Sequence, residues 1–264
     1  IALNIKRSIR AVSDSPGKGK HRKRGDRMKN DWKFYSRDCW LGALSAALML
    51  VGDLCLSVIP ASPGDSGLFQ REAYLSGAYP AWRLPLLLVT GLLGMAWGFF
   101  TVRANYMQIK PQHRKLRLTV LISGVIYLTS AGVVHFMIGS LADWTSTLSP
   151  LLGWTETAAV IQTWYTRVFP SLWISYGGMI LLILCSAWAV LAKKTILPQK
   201  MFLFHMLVWQ IVLAGIPDVR QTLGADISTW DFILSQGSGN AALLIWMAAN
   251  AVWGQRRKKV LEVE

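Results

Sequence analysis

The sequence is poor in charge, poorer still in acid, and almost without cysteine. Only 16% of its 264 residues are charged, and Asp and Glu together number 14. With 53% hydrophobic residues beside so little charge, the chain has too much apolar surface to stay disordered. The three cysteines, Cys39, Cys55 and Cys185, show no CxxC spacing, which excludes a disulfide framework and leaves them as small hydrophobes. Cys39 alone has a juxtamembrane position of the kind that is palmitoylated. The histidines form neither HxxxH nor HExxH, so no metalloprotease motif is present. There is no internal repeat of the sort that marks the inverted halves of many transporters.

What the chain does have points two ways. It carries 28 Lys and Arg and a formal charge of +14, which suits a nucleic-acid binder. It also has 13 Trp and a mean hydropathy of +0.35, which suits a membrane protein. The positions of the charges decide between them.

A bilayer core about 30 Å thick requires about 20 mostly apolar residues per spanning helix. Six runs approach that length: 40–59, 84–102, 118–141, 172–192, 201–219 and 237–253. They are too long and too rich in Leu, Ala and Met for strands, and they lack strict alternation. If all six span with a cytoplasmic N-terminus, the inner face receives the tail before Trp40, loops 103–117 and 193–200, and the tail after Trp253. Those segments hold 24 of the 28 Lys and Arg. The outer loops hold only Arg71, Arg83, Arg167 and Arg220, against seven acidic residues. Every loop obeys the positive-inside rule. The expected fold is therefore an all-α polytopic transmembrane bundle of six spans, with both termini inside. Its domain is 39–255, flanked by a basic tail at 1–38 and a second tail at 256–264. The excess charge describes orientation and argues against a nucleic-acid partner. The bilayer itself, and anionic headgroups at the basic inner face, are the expected partners; no protein partner is identifiable.

Met28 opens an ordinary basic flank before the first run, and the reading places the biological start there, with 1–27 as upstream sequence. A cleaved signal peptide is disfavoured by the length of the first run and by Asp53 within it. On the outer side, Ser149-Pro150 reads as a helix start, with Ser at the N-cap and Pro at N1. Residues 151–168 mix Trp and Tyr with polar residues, as expected of a helix lying in the outer interface, and Pro170 restarts the chain into the fourth span. Ser228 resembles the cap of a further helix. Gly237-Ser238-Gly239-Asn240 reads as a polar, flexible entrance to the sixth span; with no preceding strand it is not a nucleotide loop. The sequence names no cofactor.

An ionisable side chain inside a span is costly unless partnered, and therefore marks a functional candidate. Asp53, His135, Asp218 and Asn240 come from four different runs and share the outer half of the bundle. His135 shares a helical face with Gly124, Ala131, Gly132 and Gly139, small residues that admit a neighbouring helix. Gly94 and Gly98 of the second run carry GxxxG spacing. His205 and Asn250 lie towards the inner side. Three outcomes separate the roles these residues can play. Convergence of Asp53, His135 and Asp218 on one water-sized void favours a metal-dependent hydrolase acting on lipid-like substrates. A cavity of about 300 Å³ or more favours binding or translocation of a small molecule, lipid or proton. Dispersed side chains leave a structural or accessory protein.

Gly52-Asp53-Leu54, Trp82-Arg83-Leu84 and Thr90-Gly91-Leu92-Leu93-Gly94 together resemble a group of prokaryotic multi-helix membrane proteins of unknown function, over about residues 40–100. The resemblance implies a bacterial inner-membrane location and adds Arg83 to the candidates. It suggests that Arg83 snorkels from the second span to pair with the Asp53 carboxylate.

Overall fold

The computed structural model describes residues 19–65, 71–77 and 79–263, with only the backbone described for 19–30, 171 and 261–263. The run of basic side chains before Asp31, Met28 included, lies outside the described side chains. Among the described residues, seven α-helices form: α1 (Gly19–Ser57), the single turn α2 (Glu72–Leu75), α3 (Arg83–Gln108), α4 (Arg114–Leu152), α5 (Trp154–Leu191), α6 (Met206–Thr222) and α7 (Thr229–Val263). A 3-10 helix, Gln199–Phe204, precedes α6. No β-strand forms among the described residues; one isolated bridge joins Ile109 to Thr195.

Among the described residues, six helices are long and apolar enough to cross a membrane. Their packing explains why so many apolar side chains remain outside. In the most apolar stretch of Gln199–Thr222 only 17% of residues are buried within the protein. Leu92, Phe99, Val133, Phe136, Ile174, Leu184 and Ile211 all point outward. Such a belt is far more apolar than the surface of a soluble monomer and matches a hydrocarbon solvent.

The long helices neighbour one another in the ring order α5, α4, α3, α1, α7, α6, and the ring is closed only by sparse contact between α6 and α5. Small residues set the tight seams. Along α3 and α4, large side chains face glycines in alternation. Gly124 lies under Val102, Leu128 lies over Gly98, Gly132 lies under Met95, His135 lies over Gly91, and Gly139 lies under Leu87. A Cβ added at Gly124 would sit 2.8 Å from Val102, and one at Gly139 would sit 2.7 Å from Leu87. The glycines around His135 thus face α3. The two glycines of the GxxxG spacing serve different neighbours: Gly98 receives Leu128 of α4, while Gly94 receives Met49 of α1 and accepts a 2.6 Å hydrogen bond from Ser45 at its carbonyl.

Three local expectations are corrected. Ser149-Pro150 does not start a helix. Both lie in the last turns of α4, and the chain breaks at Gly153, whose φ of +86° is costly for any residue with a Cβ. Ser149 is not a cap, because its hydroxyl donates across to the Leu75 carbonyl. The segment 151–168 is not a separate helix. From Trp154 it is the first part of α5, which runs on through Pro170, a residue whose fixed φ suits a helix although it lacks the N–H. Gly237-Ser238-Gly239-Asn240 is not an entrance but lies inside α7. Its glycines give α7 flat faces, Gly237 receiving Leu50 of α1 and Gly239 receiving Gln210 of α6. Ser228 does precede a helix, and its N–H and hydroxyl both donate to Asp231, at 2.8 and 2.7 Å. Cys39 is fully buried among the core residues of α1, which removes the thiol from any acyl-transfer reaction.

Candidate functional site

The site lies towards the end of the bundle where α1, α4 and α6 finish and where α3, α5 and α7 begin. Arg71 builds that end. It has no exposed surface, and its guanidinium donates to the carbonyls of Ile59 (2.6 Å), Pro60 (3.2 Å) and Ser57 (3.3 Å), at and just past the end of α1. The Asp65 carboxylate lies 3.7 Å from Nε, and the Phe232 ring of α7 lies 3.8 Å below the guanidinium. Asp65 in turn accepts from the N–H groups of Ser62 (2.9 Å) and Glu72 (2.8 Å), and Thr229 donates to the Ile59 carbonyl at 3.0 Å. Burial pulls the Arg71 pKa below its ordinary value while Tyr74 and Asp65 push it back up; starting so far above neutrality, the group stays charged. Arg71 did not stand out in the sequence because its partners are main-chain carbonyls in a loop, which no side-chain pattern reveals.

Beneath this cap is a half-enclosed cavity of about 870 Å³, walled by α1, α4, α5, α6 and α7. Its wall is thinnest where α5 and α6 barely touch. Asp53, His135, Asp218 and Asn240 all line it. Asp53 is buried, and its Oδ2 accepts a 2.7 Å hydrogen bond from the Asn240 amide, joining α1 to α7 across 187 residues of sequence. A carboxylate only accepts, so the amide nitrogen must face it; the amide oxygen is then turned away and is buried with no partner. Gln236, one turn earlier on α7, also lines the cavity with a buried, unpartnered Oε1. The His135 ring lies against α1, its Nδ1 only 3.6 Å from where a Cβ on Gly52 would be. Asp218 is exposed on the last turns of α6, at the rim.

Arg83 is not part of this cavity. It donates to the Cys55 carbonyl at 3.2 Å and stacks near the Tyr79 and Trp82 rings, so the pairing with Asp53 does not form. Asp53 takes its partner from α7 instead. The remaining acidic lining residues carry counter-charges: Asp65 has Arg71, and Asp231 has Arg220 at 3.0 Å. No Lys or Arg among the described residues lines the cavity. Among the described residues, no three His, Cys, Asp or Glu side chains gather as a metal-holding group.

A family of unknown function, DUF6796, matches residues 28–229. The chain belongs to that family. The matched stretch takes in Asp53, Arg83, His135 and Asp218, whereas Asn240 lies beyond it. No curated protein and no solved structure matches the chain. For this family member, chemical evidence therefore comes from the cavity itself.

Proposed function

We propose that this member of the family is a multi-pass protein of the bacterial inner membrane, with both termini in the cytoplasm, that binds or translocates a small molecule through the cavity in the outer half of its bundle. The orientation is supported by the concentration of Lys and Arg at the end opposite the cavity. That basic end faces the anionic headgroups of the inner leaflet.

The observation that carries the binding reading is the cavity. At about 870 Å³ it falls within the range of ligand sites and is far larger than one water. It combines apolar side chains such as Val134, Ile138 and Ile161 with many polar ones drawn from distant parts of the chain. Nothing in the site favours the metal-dependent hydrolase: Asp53, His135 and Asp218 share one large cavity and do not converge on a small void.

Filling the cavity tests the reading. Ala131 is buried on α4 and lines the void, so Ala131→Trp places an indole inside it. Protein purified in nanodiscs is expected to carry a co-purifying or added small molecule, detected by native mass spectrometry, and Ala131→Trp is expected to lose it. Equal occupancy in both proteins would defeat the reading. Cysteine-accessibility labelling of loop 109–115 and of residue 226 tests the orientation, with 226 expected to label from outside and 109–115 only after permeabilisation.

A further inference from the structure

The chemistry of the lining narrows what the cavity accepts. Four acidic residues, Asp53, Asp65, Asp218 and Asp231, line it, and no Lys or Arg does among the described residues. Asp53 has one partner for its carboxylate, the Asn240 amide. The Asn240 and Gln236 amide oxygens are buried and unpartnered, and sit four residues apart on one face of α7. A buried acceptor left unsatisfied costs about 1–3 kcal/mol, and a carboxylate inside a span costs more without a counter-charge. Bundles relieve this strain with a basic side chain, as Arg71 does for Asp65 and Arg220 for Asp231. At Asp53 no basic side chain is supplied; Arg83, the nearest candidate in the sequence, is turned to a carbonyl.

We infer that the counter-charge comes from the ligand: the cavity binds a molecule carrying a primary ammonium on an apolar or aromatic body, with the ammonium at Asp53. This rests on the reading of the cavity as a binding site and adds its substrate class. An ammonium brings hydrogen-bond donors together with the positive charge that Asp53 lacks from the chain. A hydroxyl brings a donor without the charge. A carboxylate or phosphate meets like charge from Asp53, and from Asp218 at the rim. The space is much too large for a bare inorganic cation, and Ala131, Val134, Ile138 and Met179 line room for the apolar body of the molecule. The sparse α5–α6 seam provides a lateral path for an amphiphilic amine arriving from the bilayer.

Three probes with nearly the same shape test the inference: 2-phenylethylammonium, 2-phenylethanol and phenylacetate. Binding to the full chain in phosphatidylcholine nanodiscs is followed by competition and native mass spectrometry. The ammonium is expected to bind roughly 10–100-fold tighter than the alcohol, the range of one charge-assisted hydrogen bond, and phenylacetate is expected not to bind. Asp53→Asn is expected to erase the preference for the ammonium over the alcohol, and Asp218→Asn is expected to weaken the ammonium by less than Asp53→Asn does. Ammonium and alcohol binding alike to the unaltered protein would overturn the inference, whatever the variants do. If the alcohol binds and Ala131→Trp displaces it without any ammonium preference, the cavity still binds and only the substrate class fails. If no probe binds, both readings fail. Repeating the competition with phosphatidylethanolamine in the nanodisc separates two sources of the same group. Weakened binding of the probe there identifies a lipid headgroup as the ammonium, and unchanged binding identifies a free amine.

Discussion

The two ends of the bundle differ in what their buried polar side chains meet. At the basic end most of them pair with one another across helices, although Thr101 Oγ1 and Trp253 Nε1 are buried without a partner. The Asn105 carbonyl oxygen accepts from Trp246 at 3.2 Å and from Gln108 at 2.9 Å, while its amide donates to the Thr101 carbonyl. Tyr35 donates to Asn250, which donates to the Trp246 carbonyl. Asp38, fully buried, has Arg103 and Arg37 at 3.2 Å each. His205 caps α6 by accepting from the Leu207 N–H through Nδ1, which leaves its Nε2 proton for Ser186. Around the cavity some polar groups pair, as Gln210 does with Ser238, while the amide oxygens of Asn240 and Gln236 remain unmet and Asp53 has no described basic partner. A closed network holds helices together, because donors from one helix are taken by the next. An open one keeps its unsatisfied groups for something that is not part of the chain.

The largest effect belongs to a residue that mixes the two regimes. Arg71 is a closed device placed at the end of the bundle that carries the cavity, where it ties the loop after α1 to α7. Arg71→Met should destabilise the protein by about 3–5 kcal/mol, because it leaves the buried Asp65 carboxylate without its counter-charge and removes the guanidinium donor from three carbonyls. It should also weaken ligand binding, since Phe232 both supports Arg71 and lines the cavity. Unfolding in graded SDS measures the first effect and probe binding the second. A fall in stability with intact binding would show that the cavity does not depend on its cap.

A smaller effect should separate the ends cleanly. Asn105→Leu orphans the donors of Trp246 and Gln108, so about 1–3 kcal/mol of stability should be lost while probe affinity stays unchanged. If binding falls in step with stability, the two ends are one cooperative structure and the contrast between them is empty.

How far the sequence reveals this contrast follows from the range of each signal. The six apolar runs are visible because hydrophobic length is a local property, and the small face around His135 is visible because helical phase is local too. The depths of Asp53 and Asn240 follow from counting along their runs. Their hydrogen bond does not, because the rotation of α1 against α7 is set by the seating of Leu50 on Gly237, a contact between helices far apart in sequence. Arg83 misled for the same reason: an Arg near a span end has carbonyls within reach as well as carboxylates, and spacing cannot rank them. The run-on of α5 through Pro170 and the break at Gly153 show that one positive φ outweighs two well-placed prolines.

The smallest expected change in stability is the most telling. Replacing both Asp53 and Asn240 by Leu removes the only described hydrogen bond of the Asp53 side chain, yet it also removes a buried charge and an unmet carbonyl oxygen. When both partners become apolar, the desolvation cost disappears along with the bond, so the double variant should lie within about 1 kcal/mol of the original or be more stable. Asn240→Leu alone should cost more than the double variant, because it leaves the carboxylate buried without its donor, and the two substitutions should therefore be strongly non-additive. Probe binding should be absent in both. A double variant that loses 3 kcal/mol or more would place Asp53 and Asn240 with the closed network of the basic end, as a joint between α1 and α7. A double variant that keeps its stability and loses its ligand would mean that the chain holds a costly polar pair whose only return is recognition.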